Sequence, residues 1–370
     1  MTIIHSVNSI NMETTTSDSD SSLRFVPEML VDYINQRNRY DLEPASFFVH
    51  GVCLLVDISG FTKLSGDYCE QGKSGIDSLQ LATNGFMERL VEVIYSFGGD
   101  IIKFAGDAII CVFSADFISN IGAKVLRRSI CGFDSFKINF DDLANHGFEP
   151  DAGFNLVKTG NVTADVILRV MHCAHQLREV QTDKLTVHVA MSCGEMCFGI
   201  LGGFENRWEC LISGPCIHQL SGCLDDAPSK HAVMSAGCVG ILIAANTENA
   251  IPFADTTNGS TNKLVSELET SAGKYNFEIL PLDSGNYRIN EVQCTSTAAA
   301  ITPKVSGKAK ASMQPHLQLI QQFVPLPIAD ELESAKELNL MAEIREVTTM
   351  FMKVSCYNVC TNCQRRSNSY

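Results

Sequence analysis

Apolar positions along the chain recur with two different periods. Residues 51–64 (GVCLLVDISGFTKL) predict a buried strand that ends at Asp57 in a Ser-Gly turn. From Ile76 to Phe97 the apolar positions return at helical spacing, and residues 101–110 (IIKFAGDAII) predict two short strands joined at Gly106. The same periods predict further elements: a short helix at 26–37, an amphipathic helix at 164–181, and strands at 185–203, 207–214, 276–282 and 285–292, with a strand and a helix within 231–244.

The order of these elements indicates the fold class. A strand, a long helix, a hairpin, a second helix and several strands predict an α+β domain, with helices packed on an antiparallel-rich sheet. Changes in composition divide the chain into four predicted stretches: a disordered segment with a short helix (1–40), the main domain (41–293, with an insert at about 132–160), a linker (294–315) and a further strand pattern (316–370).

Composition narrows the classes of partner and compartment. The formal net charge is −14 and the chain has no run rich in Lys and Arg, which argues against nucleic acid as a partner. The N-terminus lacks the pattern of a signal peptide and the longest apolar runs are far shorter than a membrane span, so we expect a cytoplasmic protein that does not enter a membrane. Most of the 15 cysteines occupy apolar positions, as reduced core thiols do.

Two aspartates are the strongest candidates for chemistry. Asp57 follows a buried strand and precedes a Ser-Gly turn, and Asp107 lies in the predicted hairpin turn. Each has an ordinary structural explanation, because Asp57 can cap a helix and Asp107 suits a turn. Together, two carboxylates at strand ends could hold a divalent cation while turn amides face phosphate oxygens.

Other candidate metal sites are weaker. Cys356, Cys360 and Cys363 are close in sequence but lack an evident fourth zinc ligand, so a zinc or redox module is the least favoured alternative. His172 and His175 have helical i, i+3 spacing and no carboxylate partner in the sequence pattern, which favours packed or surface histidines.

The segments VHGVCLLVDISGFTKLS (49–65) and SFGGDIIKFAGDAIICVF (96–113) together resemble a known family. They are similar to the first catalytic half, C1, of the soluble, bicarbonate-responsive adenylyl cyclases of class III. LMAEIREVTTMFMKV (340–354) resembles the first strand of the second half, C2. The resemblance implies a class III cyclase catalytic domain with a ferredoxin-like core, and an active site built between two such halves.

The resemblance also implies a reaction and a set of site residues. ATP would be converted to cyclic AMP and pyrophosphate with two Mg²⁺ or Mn²⁺ ions held by Asp57, Asp107 and the backbone carbonyl of Ile58. The triphosphate and bicarbonate sites that it implies consist of Ser59, Gly60, Phe61 and Thr62 for the triphosphate, and of Lys103 and Ile212 for bicarbonate.

Several positions depart from the family's pattern. Thr186 stands where we align a phosphate-facing arginine, and Ser221 where a second cation helps to hold bicarbonate. In a pair of identical chains, Gln219 and Cys223 would stand where the transition-state Asn and Arg belong. We therefore expect this chain to need a C2-type half, in trans or in a longer chain. The alternative is a catalytically inactive, cyclase-like regulatory or nucleotide-binding module.

Overall fold

The computed structural model describes residues 23, 25–35, 41–115, 162–248, 254–255, 264–270, 273–295, 314–326 and 328–329. The helices are α1 Glu28–Asn35, α2 Phe61–Cys69, α3 Lys73–Ser96, α4 Ala164–Glu179, α5 Pro215–Asp225, α6 Ala236–Glu248 and α7 Gln314–Gln321. The strands are β1 Ala45–Ser59, β2 Asp100–Ala105, β3 Ala108–Ser114, β4 Thr186–Gly202, β5 Trp208–Ser213, β6 Ala232–Met234, β7 Ala254–Asp255, β8 Leu264–Thr270, β9 Gly273–Pro281 and β10 Tyr287–Thr295.

One sheet contains all of these strands, in the order β2-β3-β1-β4-β6-β10-β9-β8-β7, with β5 paired to β4. Only the β4–β6 pair among the described strands is parallel. The first four strands and the helices between them form a βαββαβ unit whose strand order, β2-β3-β1-β4, is that of a ferredoxin-like core. The predicted α+β class with an antiparallel-rich sheet is confirmed.

Helices cover both faces of the sheet. On one face, Phe86 of α3 and Met171 of α4 are buried in the same cluster as Leu54 of β1. On the other face, α1, α5 and α7 cover a second cluster that includes Phe47 of β1 and Phe198 of β4. The strand β1 supplies both clusters, because successive residues of a strand point to opposite faces of the sheet.

The strand β1 is longer than its sequence pattern predicts. The prediction that it ends at Asp57 is wrong, because the strand continues to Ser59, which pairs with Thr186 of β4. The pairing with β4 supplies backbone partners for two residues beyond Asp57. Asp57 is therefore a residue within a paired strand and not the first residue of a turn.

Several elements were not among those predicted from the sequence, and α5 and β8 are two of them. Residues 215–225, which contain the HQLSGCL segment, form α5, and residues 264–270 form β8, an antiparallel partner of β9. Three residues of α5 are buried: Cys216, Leu220 and Cys223. Their spacing is helical, but the segment is short and contains Gly and Ser, which weakens the periodic signal.

Some predictions fall on parts of the chain outside the described residues. These are the insert at 132–160, most of the linker at 294–315, the strand pattern at 340–354 and the cysteines Cys356, Cys360 and Cys363. The predicted division into domains stays a prediction. Within the described part beyond the linker, Leu319 and Ile320 of α7 are buried in the same cluster as Leu30 of α1.

Candidate functional site

The turn after β1 has a backbone that only glycine accommodates well. Gly60 has φ 93° and precedes α2, and a Cβ atom there would lie 2.3 Å from the carbonyl oxygen of Lys184. As the N-cap residue, Gly60 has no side chain that could cap this helix end. The first amides of α2, from Phe61 onwards, are therefore without intrahelical acceptors, which is the arrangement that favours an anion.

The hairpin β2–β3 brings Asp107 to the same end of β1. Ala105 pairs with Ala108 across a two-residue turn of Gly106 and Asp107, and Gly106 has φ 70°. In the neighbouring pair, Ala108 lies opposite Asp57. The register thus places Asp107 one residue beyond the partner of Asp57, so the two aspartates predicted from sequence lie at one end of the sheet.

A histidine that the sequence analysis did not single out contacts Asp57. His188 of β4 lies opposite Asp57 in the ladder, and its Nε2 is hydrogen-bonded to Asp57 Oδ2 at 2.6 Å. Its Nδ1 lies 2.8 Å from the carbonyl oxygen of Ala227. The hydrogen bond to Asp57 is the main cause that raises the pKa of His188, and the charges of Asp57 and Asp107 act in the same direction.

The sequence carried only a weak signal for His188. In LTVHVAM the residue is a polar position in an alternating strand, which normally indicates the solvent-facing side. Its contact with Asp57 depends on the register between two strands that are 131 residues apart. That register is set by tertiary packing, so the pattern of either strand alone could not reveal the pair.

Lys103, the predicted bicarbonate residue, lies near an acid. Its Nζ is 3.5 Å from Glu209 Oε2, and the two side chains are 49% and 73% exposed. An exposed pair of this kind contributes about 0–1 kcal/mol. Ile212 lies on the same strand as Glu209, further along β5. The assignment of Lys103 and Ile212 to bicarbonate stays a prediction.

The two histidines of α4 each contact a side chain from another part of the chain. His172 packs edge-on against Phe97 with ring centroids 5.1 Å apart, and His175 Nε2 lies 3.5 Å from Glu291 Oε2. In the part of the chain that the structure describes, no three His, Cys, Asp or Glu side chains are grouped so that they could hold a metal ion.

No helix among the described residues is long and apolar enough to cross a membrane.

The chain was compared with known proteins to test its resemblance to soluble adenylyl cyclases. No family model matches the chain. The chain is 32% identical over 111 residues to adenylate cyclase type 10 of Oryctolagus cuniculus, and 33% identical over 91 residues to that of Homo sapiens. These matches cover 28% and 24% of this chain, and each spans 6% of the relative's length. The predicted resemblance to soluble adenylyl cyclases is confirmed.

Solved structures similar to this chain include cyclase domains. The match to the adenylyl cyclase CyaB from P. aeruginosa covers 68% of this chain and 98% of that one, with a TM-score of 0.37 and 13% identity. The match to the guanylate cyclase domain of RhGC from Catenaria anguillulae, in complex with GTP, covers 68% of this chain and 100% of that one, with a TM-score of 0.36 and 12% identity.

The positions that depart from the adenylyl cyclase pattern are now located in the fold. Thr186 begins β4, and its hydroxyl lies 2.5 Å from that of Ser229. Ser221 is exposed on α5, whereas Cys223 is fully buried. The expectation that Cys223 meets the site of a second chain is therefore wrong, because its side chain is enclosed by its own chain.

Proposed function

We propose that this chain acts as the C1-type half of an adenylyl cyclase and contributes the metal and triphosphate site for the conversion of ATP to cyclic AMP. The observation that carries the proposal is the convergence of Asp57, Asp107 and the uncapped start of α2 at one end of the sheet. The sequence similarity to adenylate cyclase type 10 supports the cyclase class.

The donor set fits a divalent cation. Two carboxylates, Asp57 and Asp107, lie at the same end of the sheet, and the backbone carbonyl of Ile58 follows Asp57 directly. When bound, such cations neutralise phosphate charge and lower the pKa of an attacking hydroxyl. The chain's own contribution is to fix Asp57 on a paired strand and Asp107 in the turn of the β2–β3 hairpin, and to present the amides that follow Gly60 to phosphate oxygens.

A C2-type half would supply the residues of the active site that this chain lacks. Thr186 and Ser221 are uncharged, and hydrogen bonds to a charged partner contribute about 1.5–3 kcal/mol each when present. We therefore expect weak binding of Mg·ATP by this chain alone and little stimulation by bicarbonate. Turnover would require residues from a C2-type half.

The test is cyclic AMP formation by the full chain, with Mg²⁺ or Mn²⁺, before and after addition of a C2-type half of a soluble adenylyl cyclase. We expect almost no product from the chain alone and clear product from the mixture. Asp107→Ala should abolish that product. Asp283→Ala, which removes an exposed acid in the β9–β10 turn, is the matched control and should leave it unchanged.

A second candidate function is a nucleotide-binding module without turnover. The contact between His188 and Asp57 favours it, because one oxygen of the proposed metal ligand already has a partner. Binding of Mg·ATP with no cyclic AMP in the presence of the C2-type half would support this alternative. Robust turnover by the chain alone would contradict both candidates.

A further inference from the structure

A cavity of about 80 Å³ lies where the start of α1 meets the β2–β3 hairpin and α4. Three charged side chains line it, Glu28, Asp100 and Arg169, together with the apolar side chains of Met29 and Val112. Asp100 and Val112 are paired at the end of the hairpin away from its turn. The cavity is therefore separate from the candidate functional site, which lies at the turn end.

Arg169 brings a positive charge to this cavity. Its Nη1 would lie 3.8 Å from a Cβ atom at Gly98, which places the guanidinium beside the turn before β2. Its Nε is buried without a hydrogen-bond partner, and no carboxylate of the described residues forms a salt bridge with Arg169. A buried donor without a partner costs free energy. The guanidinium thus has donors available for a carboxylate, which its planar fork can bind at two oxygens.

The acids of the cavity supply the opposite charge. Asp100 Oδ1 accepts the backbone N–H of Glu28 and its Oδ2 that of Met29, each at 2.9 Å. An ionised carboxylate has about four acceptor positions, so these two bonds leave others for a ligand. The side chain of Glu28 lines the same cavity. A ligand that satisfies all three charged groups must carry a negative group for Arg169 and a positive group for the acids.

We propose that this cavity binds a small α-amino acid in its zwitterionic form, with the carboxylate on Arg169 and the ammonium group on Asp100 and Glu28. One water needs about 10–15 Å³ of cavity, so the volume accommodates about five or six atoms other than hydrogen. Glycine and alanine are molecules of this size. Met29 and Val112 offer an apolar wall to the carbon atoms between the charged groups. The proposal is independent of the cyclase function, because it involves neither metal nor nucleotide.

The test measures binding of glycine to the full chain by calorimetry and NMR, beside acetate and methylammonium, which each carry one of the two charges. We expect millimolar affinity for glycine, because so small a ligand makes few contacts, and much weaker binding of either single-charge probe. Acetate that binds as well as glycine would reveal a simple anion site and overturn the proposal. Failure of glycine to bind would overturn it as well.

A substitution of the arginine tests its assigned contact. Arg169→Gln should weaken glycine binding by about tenfold or more, since it removes a charge-assisted hydrogen bond. Arg89→Gln is the matched control, because Arg89 is exposed on α3 and lies over the ring of Phe86, outside the cavity. This variant should bind glycine as the unmodified chain does. Full affinity in Arg169→Gln would contradict the proposal.

The unmodified chain provides a test that needs no variant. Burial raises the pKa of Asp100 to about 7, so this acid is largely protonated near pH 6 and ionised near pH 8. The ammonium group pairs with the ionised form, so the affinity for glycine should rise about tenfold between about pH 6 and about pH 8. An affinity that does not change over this range would place the ammonium group away from Asp100 and overturn the proposal.

The other groups near Asp100 do not produce the same dependence. Besides Arg169 of α4, those that interact with its charge are Glu28 and Asp32 of α1, Tyr95 of α3, Cys111 of β3 and Cys210 of β5. Burial raises the pKa of the phenol and of both thiols, so these three groups stay neutral over this range. The guanidinium stays charged.

Discussion

Asp100 has a structural function that its sequence context does not reveal. It follows two glycines at the end of α3, and its carboxylate accepts hydrogen bonds from the backbone N–H groups of Glu28 and Met29, each at 2.9 Å. It therefore caps the start of α1 from a position about 70 residues away in the chain. Burial raises the pKa of Asp100 to about 7, although these two hydrogen bonds oppose the shift.

This raised pKa predicts an unusual dependence of stability on pH. Between about pH 4 and pH 7, Asp100 is protonated in the folded state and ionised in the unfolded state. The contribution of Asp100 to the free energy of unfolding therefore falls as pH rises through this range. The slope is at most about 1.4 kcal/mol per pH unit. Urea unfolding across this range should show a smaller decline for Asp100→Asn than for the unmodified chain. Equal slopes in the two proteins would contradict the prediction, and Asp283→Asn serves as the control.

Among the secondary-structure elements, β1 is the central support of the site. It pairs along its length with β4 and over seven residues with β3, so its neighbours fix its position on both sides. Gly51 lies opposite Ser114 of β3 and Gly194 of β4, and a Cβ atom there would be 2.4 Å from the carbonyl oxygen of Phe113. The close approach involves backbone, which cannot move aside without separating the strands.

We therefore expect Gly51→Ala to destabilise the protein by about 1–3 kcal/mol, as overpacking against a rigid neighbour does. Gly85→Ala provides the matched control, because Gly85 lies on an exposed face of α3 with nothing within 4 Å of an added Cβ. That substitution should stabilise the helix by about 0.5–1 kcal/mol. The shift of the midpoint of urea unfolding measures the change in stability of each variant. A Gly51→Ala variant as stable as the unmodified chain would argue against the close approach of β1 and β3.

At the scale of the whole fold, residues 314–326 contribute buried side chains to the core. Leu319 and Ile320 of α7 are buried in the cluster that contains Leu30 of α1. The single tryptophan of the chain, Trp208, donates its backbone N–H to the carbonyl of Gln322 and lies with its ring centroid 6.5 Å from that of Phe323. Residues 314–326 thus cover part of the sheet face to which α1 and α5 also contribute.

Removal of this segment should expose Trp208. A chain that ends at residue 313 should unfold at lower urea concentration and fluoresce at longer wavelength than one that ends at residue 329, because the ring then meets water. The truncation at 329 is the control for loss of the remaining C-terminal residues. Identical fluorescence and stability of the two truncated chains would show that α7 contributes nothing to the fold.

Several elements and the two candidate aspartates could be identified from local sequence patterns. Apolar periodicity identified α3, α4 and the β2–β3 hairpin, because each period reflects local geometry. The carboxylates of Asp57 and Asp107 stood out since each lies beside a glycine turn next to an apolar strand. These are properties of short segments and need no knowledge of the rest of the chain.

The contacts between distant residues depended on tertiary packing. The register of β1 with β4 brought His188 to Asp57, and the packing of α1 brought Glu28 and Met29 to Asp100. The same register extended β1 beyond Asp57 by two paired residues. Such contacts join residues separated by many positions, and their geometry is set by the packing of the whole sheet, so no local pattern contains them.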